Sequence, residues 1–364
     1  MTRSFVRLAA CFALAACQAA PKEGADPAPV RSARFDVRHE LAVTVPEGAK
    51  SVRVWMALPR ADPAQEVTDL RTEAPCPTRV TTDDHGNTVL YLEAAAPPAG
   101  SFRVVTTFRL LRREVRRDVD PARARPLTDG DRKLLQRHLQ PSTHVVVDDR
   151  IQRKAAEIVG GETNPVRAAR RLYDWTLDNI DYCVKDPDRK KASPVGSTVY
   201  CLDTGTGNCT DFHSLWMSLA MAAGIPTRIV YGSFFKKELD GQDVDQSYHC
   251  WLEFYAPGPG WIPLDVAVAD IFVGDFRLDE KNASLVQRTT AAGYAGRDPA
   301  MVDYYFGNLE ERRVTWSQGR DLLLEPRPEG GPVNALPKAH VEVDGAVHPE
   351  KTGWTRKLTF RQVG

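Results

Sequence analysis

The sequence has no excess of charge: 48 lysines and arginines face 48 aspartates and glutamates. That balance removes the electrostatic footprint on which nucleic-acid binding rests, so no nucleic-acid partner is expected. Apolar runs long enough to span a bilayer are missing as well, the most concentrated one, Leu8 to Ala16, being too short. There is no calcium loop, because Asp240 to Asp245 (DGQDVD) is acidic without the EF-hand spacing. His213 has no neighbouring cysteine or histidine to complete a zinc-type motif, so it reads as a core or rim side chain. No metal and no cofactor are expected. Aromatic residues make up only 8 % of the chain, and Trp55, Tyr91 and Phe102 suit a core better than a sugar-binding platform.

What is present begins at residue 1. Arg3 and Arg7 precede the apolar stretch, which ends in Leu14-Ala15-Ala16-Cys17. Residues 1–17 resemble a bacterial lipoprotein signal, with Cys17 as the lipid-carrying residue after cleavage; an ordinary secretory signal is the alternative. Gln18 in place of an aspartate after the cysteine implies, by the same resemblance, the outer membrane facing the periplasm. The membrane would then be touched only through the lipid anchor. Residues 18–34 are small, polar and proline-rich, the composition of a tether that cannot bury enough surface to fold.

Roughly 330 residues remain, enough for two domains. Over 35–117 the apolar residues alternate: Phe35 to Val45, Val52 to Leu58, Val89 to Tyr91, Phe102 to Leu110. Turn residues separate these runs, and together they outline a β-sandwich. Residues 118–163 turn helical and form a connector. Asn164 then caps a helix that Pro165 opens and that runs to about Asn179. Residues 185–204 form a long loop, a reasonable route for substrate. Beyond it lies the stretch around which the chain is organised, Gly205 to Arg228. Phe212, Leu215, Trp216, Leu219, Ala220 and Ala223 recur at helical spacing, and Gly224 and Pro226 end the helix. Cys209 stands at its N-terminal tip, where free N–H groups and the helix dipole favour the thiolate and can hold an oxyanion. On this stretch alone, a small buried hydrophobe and a nucleophile are equally good readings of Cys209.

The next strands narrow the choice. Ser247 to Tyr255 alternates, a turn follows at Ala256 to Gly260, and Trp261 to Ala267 returns. If His249 and Asp265 face each other across this hairpin, the register centres on Pro257, inside the turn, and both fall on one face. Cys209, His249 and Asp265 then supply a nucleophile, a general base and an orienter.

These same residues carry a family resemblance. Gly207 to Phe212 (GNCTDF) with Gly224 to Arg228 (GIPTR), His249 to Glu253 (HCWLE) and Gly260 to Asp265 (GWIPLD) resemble, in order, the three catalytic blocks of transglutaminase-like proteins. Val52 to Pro59, Tyr305 to Asn308 and Gly319 to Asp321 also resemble bacterial members. The resemblance implies an α+β fold: a β-sandwich-like N-terminal domain, then a papain-like core over 164–320 with the Cys209 helix packed on an antiparallel sheet. Residues 321–364 remain as a C-terminal β appendage. The resemblance further implies acyl transfer through a thioester on a protein, peptide or envelope-polymer amide, with Cys209, His249 and Asp265 catalytic. Cys250 departs from the alanine common at its position. The backbone N–H of Cys209 would serve the oxyanion hole, with Tyr200 a second candidate donor. An odd number of cysteines besides Cys17 suggests one free thiol, Cys209, while Cys183 and Cys201, flanking the long loop, form a candidate disulfide. The rival reading is a catalytically silent envelope-binding protein on the same scaffold.

Overall fold

The computed structural model describes residues 29–274, 288, 290 and 294–364. The signal with Cys17 and most of the tether lie outside the described residues, as does, Arg288 apart, the stretch Asp279 to Arg288, whose sequence reads as helical. The alternating runs of the first half become strands because one face of each can be buried. They are β1 (Ser32–Val45), β2 (Ser51–Ala57), β5 (Thr88–Ala95) and β6 (Gly100–Arg113), with two strands the alternation does not announce, β3 (Gln65–Glu73) and β4 (Thr78–Thr82). They form two sheets, β1–β6–β3 and β2–β5–β4. Leu41 and Val104 from one sheet meet Val54 and Leu92 from the other in a common core, the sandwich that the pattern predicts.

A mixed helix-and-sheet core follows, with helices α1 (Asp149–Val159), α2 (Pro165–Asn179), α3 (Thr198–Thr204) and α4 (Cys209–Ala222). Its sheet contains β7 (Thr227–Phe234), β8 (Tyr248–Ala256), β9 (Gly260–Leu264) and β10 (Arg313–Gln318), in the order β9–β8–β7–β10. Every residue of α4 from Cys209 to Met221 is buried, as a helix enclosed on all sides must be. Both α1 and α2 pack against it, and α1 lends Ile151 and Ala155 to the same core. Residues 149–159 are therefore part of the core rather than a connector ahead of it. A short helix, α5 (Val266–Ile271), begins where the expected strand to Ala267 should have continued.

The C-terminal segment is no separate appendage. In the strands β11 (Ala339–Val343), β12 (Ala346–Val347) and β13 (Trp354–Gln362), the last elements of the chain complete the first domain. β11 pairs with β2 from Ala339↔Met56 to Val343↔Val52, and β13 with β1 from Phe35↔Gln362 to Val43↔Trp354. The Asp344-Gly345 turn does join β11 to β12, with Asp344 and Gly345 both at positive φ.

Candidate active site

Asn208 starts α4 by local chemistry. Its side-chain oxygen accepts the N–H groups of Thr210 and Asp211, and the Asp211 carboxylate accepts the Asn208 N–H at 3.0 Å. The cap leaves out the N–H of Cys209, the first helical residue, which is the donor expected for an oxyanion. Asp211 is fully buried and also gathers the long loop, accepting from the N–H of Ser193 at 3.0 Å, the Ser193 hydroxyl, and the N–H of Ser197 at 2.7 Å. Gly207 makes this approach possible, since a Cβ there would lie 2.4 Å from that of Asp211. Hydrogen bonds, not a disulfide, thus secure the loop: Cys183 and Cys201 both carry free thiols, as do Cys76, Cys209 and Cys250. Cys201 is buried within α3 and faces the core, whereas Cys183 lies in a helical turn close enough for the Cys209 charge to act on its thiol. Tyr200 lies in α3 with its N–H given to Ser197 Oγ.

The hairpin pairs Leu252↔Leu264 through Ala256↔Gly260, which centres it on Gly258 rather than Pro257. The shift follows from Gly258 and Gly260, whose φ values of 109° and 83° carry the reversal. Asp265 is consequently displaced by two residues from direct opposition to His249, and the parity that keeps both on one face is unchanged. It sits just past the end of β9 as the N-cap of α5, accepting from Val268 N at 2.9 Å. Its own N–H is held by Tyr305 O at 3.0 Å, which places the Tyr305-to-Asn308 block beside the site. Gly232 lies opposite His249, where a Cβ would fall 2.2 Å from Val314 O and 2.4 Å from Trp251.

The structure brings Cys209, His249 and Asp265 together. Asp265 Oδ2 accepts from His249 Nε2 at 2.7 Å, and this leaves Nδ1 as the ring nitrogen free for the thiol. Burial alone would push Asp265 up, but the charges of His249 and Arg313 and hydrogen bonds from His213 and His249 hold it well below the usual carboxylate range. Burial likewise opposes a charged His249, yet the charges of Asp265 and Cys209 and their hydrogen bonds raise it to about 9. Cys209 is lowered well below an ordinary thiol, first by a hydrogen bond from Cys250, then, against burial, by the charge and hydrogen bond of His249. Both shifts favour a thiolate beside an imidazolium. Cys209 and His249 are each only 4 % exposed.

Three contributors were not evident from the sequence. Cys250 Sγ lies 3.3 Å from His213 Nδ1 and 3.6 Å from Thr210 Oγ1, and burial together with Cys209 keeps its own thiol protonated, hence a donor. The signal for it was the departure from alanine. His213 is fully buried, with Nε2 3.5 Å from Asp265 Oδ1. Arg313 donates to Asp265 Oδ2 from β10, and nothing in its local sequence distinguishes it. Cys250→Ala is expected to slow alkylation of Cys209 at pH 6 by roughly threefold to tenfold, because the thiolate loses a donor. Quantifying iodoacetamide labelling by mass spectrometry measures this, and an unchanged rate would remove Cys250 from the argument.

Residues 152–266 match the Transglutaminase-like superfamily. An uncharacterized protein of Haemophilus influenzae is 31% identical over 229 residues, a match spanning 58% of each chain. The chain thus spans little more than half the length of that relative. The crystal structure of a candidate cysteine protease from Cytophaga hutchinsonii superposes with a TM-score of 0.53 at 16% identity, covering 91% of this chain and 98% of that one. At that identity the likeness speaks for the fold.

Proposed function

From the match of residues 152–266 to the Transglutaminase-like superfamily, we propose that this chain is a cysteine-dependent acyl hydrolase acting on amide bonds. The observation that carries this reading is the buried line Cys209–His249–Asp265, and the shifts that favour a thiolate beside an imidazolium support it. The Cys209 thiolate attacks the amide carbonyl, and the oxyanion that forms meets the Cys209 N–H at the helix tip. As the C–N bond breaks, the His249 imidazolium gives its proton to the departing amine. The thioester left on Cys209 is then attacked by water, whose proton returns to His249. An amine in place of water would make the same steps a transfer.

The substrate class proposed is a protein, peptide or envelope-polymer amide, and the burial of Cys209 and His249 favours an extended segment over a folded surface. The lipoprotein-like pattern at residues 1–17 supports an exported, lipid-anchored protein facing the periplasm. The test is the rate of Cys209 alkylation by iodoacetamide against pH, in wild type and His249→Ala. Labelling that persists well below the free cysteine value of about 8.5, and is lost in the variant, is the expected result. A slow rate that rises only near that value, indifferent to the substitution, would establish the silent binding protein instead.

A further inference from the structure

Asp265 has more donors than a three-residue relay requires. Its Oδ1 is held by the Val268 N–H, and its Oδ2 is shared between His249 Nε2 and Arg313 Nη1. Arg313 and Asp265 are both fully buried. The arginine's Nε donates to Glu310 Oε2 at 2.9 Å, and its Cζ lies 4.4 Å from the Phe234 ring, 5.3 Å from Trp251 and 5.5 Å from Tyr305. Phe234 in turn tilts against the His249 ring at 4.9 Å. The guanidinium fork therefore has little freedom to swing.

Stability alone does not call for such a group, since buried ion pairs are often replaceable by apolar residues at no loss. What the arrangement supplies is orientation. Val268 and Arg313 fix one oxygen each, so the plane of the carboxylate is set before the histidine is counted. The strand that carries Arg313 is fixed from outside the catalytic sheet as well. Thr315 gives its N–H to Gln65 Oε1 at 2.8 Å, and its carbonyl accepts from Gln65 Nε2 at 2.9 Å and Arg60 N at 3.0 Å. Both partners belong to the β-sandwich.

We propose that Arg313 is the positioning residue of the Asp265 carboxylate, and through it of His249, delivered by a strand that the β-sandwich anchors. The proposal rests on the catalytic reading of Cys209, His249 and Asp265, and Arg313 itself touches neither sulfur nor substrate. The other titratable groups acting on Asp265 or feeling its charge are His249 and Cys250 on β8, His213 on α4, and Tyr173, Tyr182 and Tyr305. Arg313 differs from them in carrying a charge that no accessible pH removes.

The test is the pH profile of Cys209 alkylation in wild type, Arg313→Met and Arg313→Lys. Methionine fills similar space without charge or donor. It is expected to move the acid limb of the profile upward by about one pH unit, a tenfold loss at any pH on that limb. On the alkaline plateau, where the Cys209 thiol is ionised in both proteins, the rate should stay within about twofold of wild type. Lysine, keeping the charge, should recover most of the shift. A merely structural role would instead split the labelling into two populations, folded protein with an unmoved limb and unfolded protein with the limb of a free thiol near about 8.5. If Arg313→Met does not fold, Arg313→Gln, a neutral variant retaining an N–H donor, replaces it with the same expected direction. A folded neutral variant with an unmoved limb, beside a wild-type profile that His249→Ala abolishes, overturns this proposal alone. A wild-type profile indifferent to His249→Ala overturns the catalytic reading, and this proposal falls with it.

Discussion

His249→Ala is expected to cut hydrolysis of a peptide anilide by about 10⁴-fold, while the nitrophenyl ester of the same acyl group loses far less above pH 9. The two substrates differ in what leaves. An aniline or amine departs only if a proton reaches its nitrogen as the C–N bond breaks, and general acid–base assistance of this kind is worth about 10²–10⁴-fold. The variant also loses the imidazolium that supports the thiolate, so near neutrality the nucleophile itself becomes scarce. Nitrophenolate leaves without a proton. Above the free thiol value of about 8.5, Cys209 ionises unaided and the ester reaction should recover to within roughly tenfold of wild type. The wild-type profile follows from the same residue. His249 is raised from its ordinary value near 6.5 to about 9, so it stays protonated at neutral pH and anilide turnover should fall as pH rises through about 9. Equal losses on both substrates would mean that His249 acts only on the thiol, and not as the acid.

Trp316→Ala carries the second large effect, this one on stability. Trp316 lies on β10, in the catalytic sheet, but is fully buried in the cluster that includes Phe35, Phe108 and Phe360 of the sandwich. Its ring stands 5.9 Å from that of Phe108, edge-on, and its Nε1 donates to Ser233 Oγ on β7 at 3.0 Å. Truncating a buried tryptophan costs about 3–5 kcal/mol, to which the unpaired Ser233 hydroxyl adds about 1 kcal/mol. At about 2–4 °C per kcal/mol, the melting temperature should fall by roughly 10 °C. Because one strand serves both halves, calorimetry should show a single transition moving as a unit. Two transitions, with only one displaced, would show that the halves unfold independently.

The elements that sequence reasoning located best are those whose own pattern reports burial. The Cys209 helix is one, bounded by Asn208 and Gly224; the alternation of β1 is another. Gln65–Glu73 and Thr78–Thr82 escaped because they are edge strands whose side chains mostly face solvent, so no alternation marks them. The pairing of β13 with β1 could not be read, since nothing near Trp354 specifies a partner some three hundred residues earlier. At the site, the types and order of Cys209, His249 and Asp265 were visible, as was the face shared by the last two. The hairpin centre was misplaced by one residue because its two left-handed glycines, not the prolines between and before them, set the turn. Arg313 was invisible for a different reason. It follows Arg312, and composition cannot tell which member of the pair turns inward.

The closing of the first sheet by the last strand has a consequence for how the chain is made. Synthesis delivers β1 and β2 early, yet their outer neighbours β13 and β11 arrive only at the very end. Until then the sandwich exposes two unsatisfied edges, and the strand bearing Arg313 has no finished scaffold to rest on. Maturation of the nucleophile is in this way tied to receipt of the entire polypeptide: a product cut short in its final forty residues would hold Cys209, His249 and Asp265 and still lack the frame that aligns them.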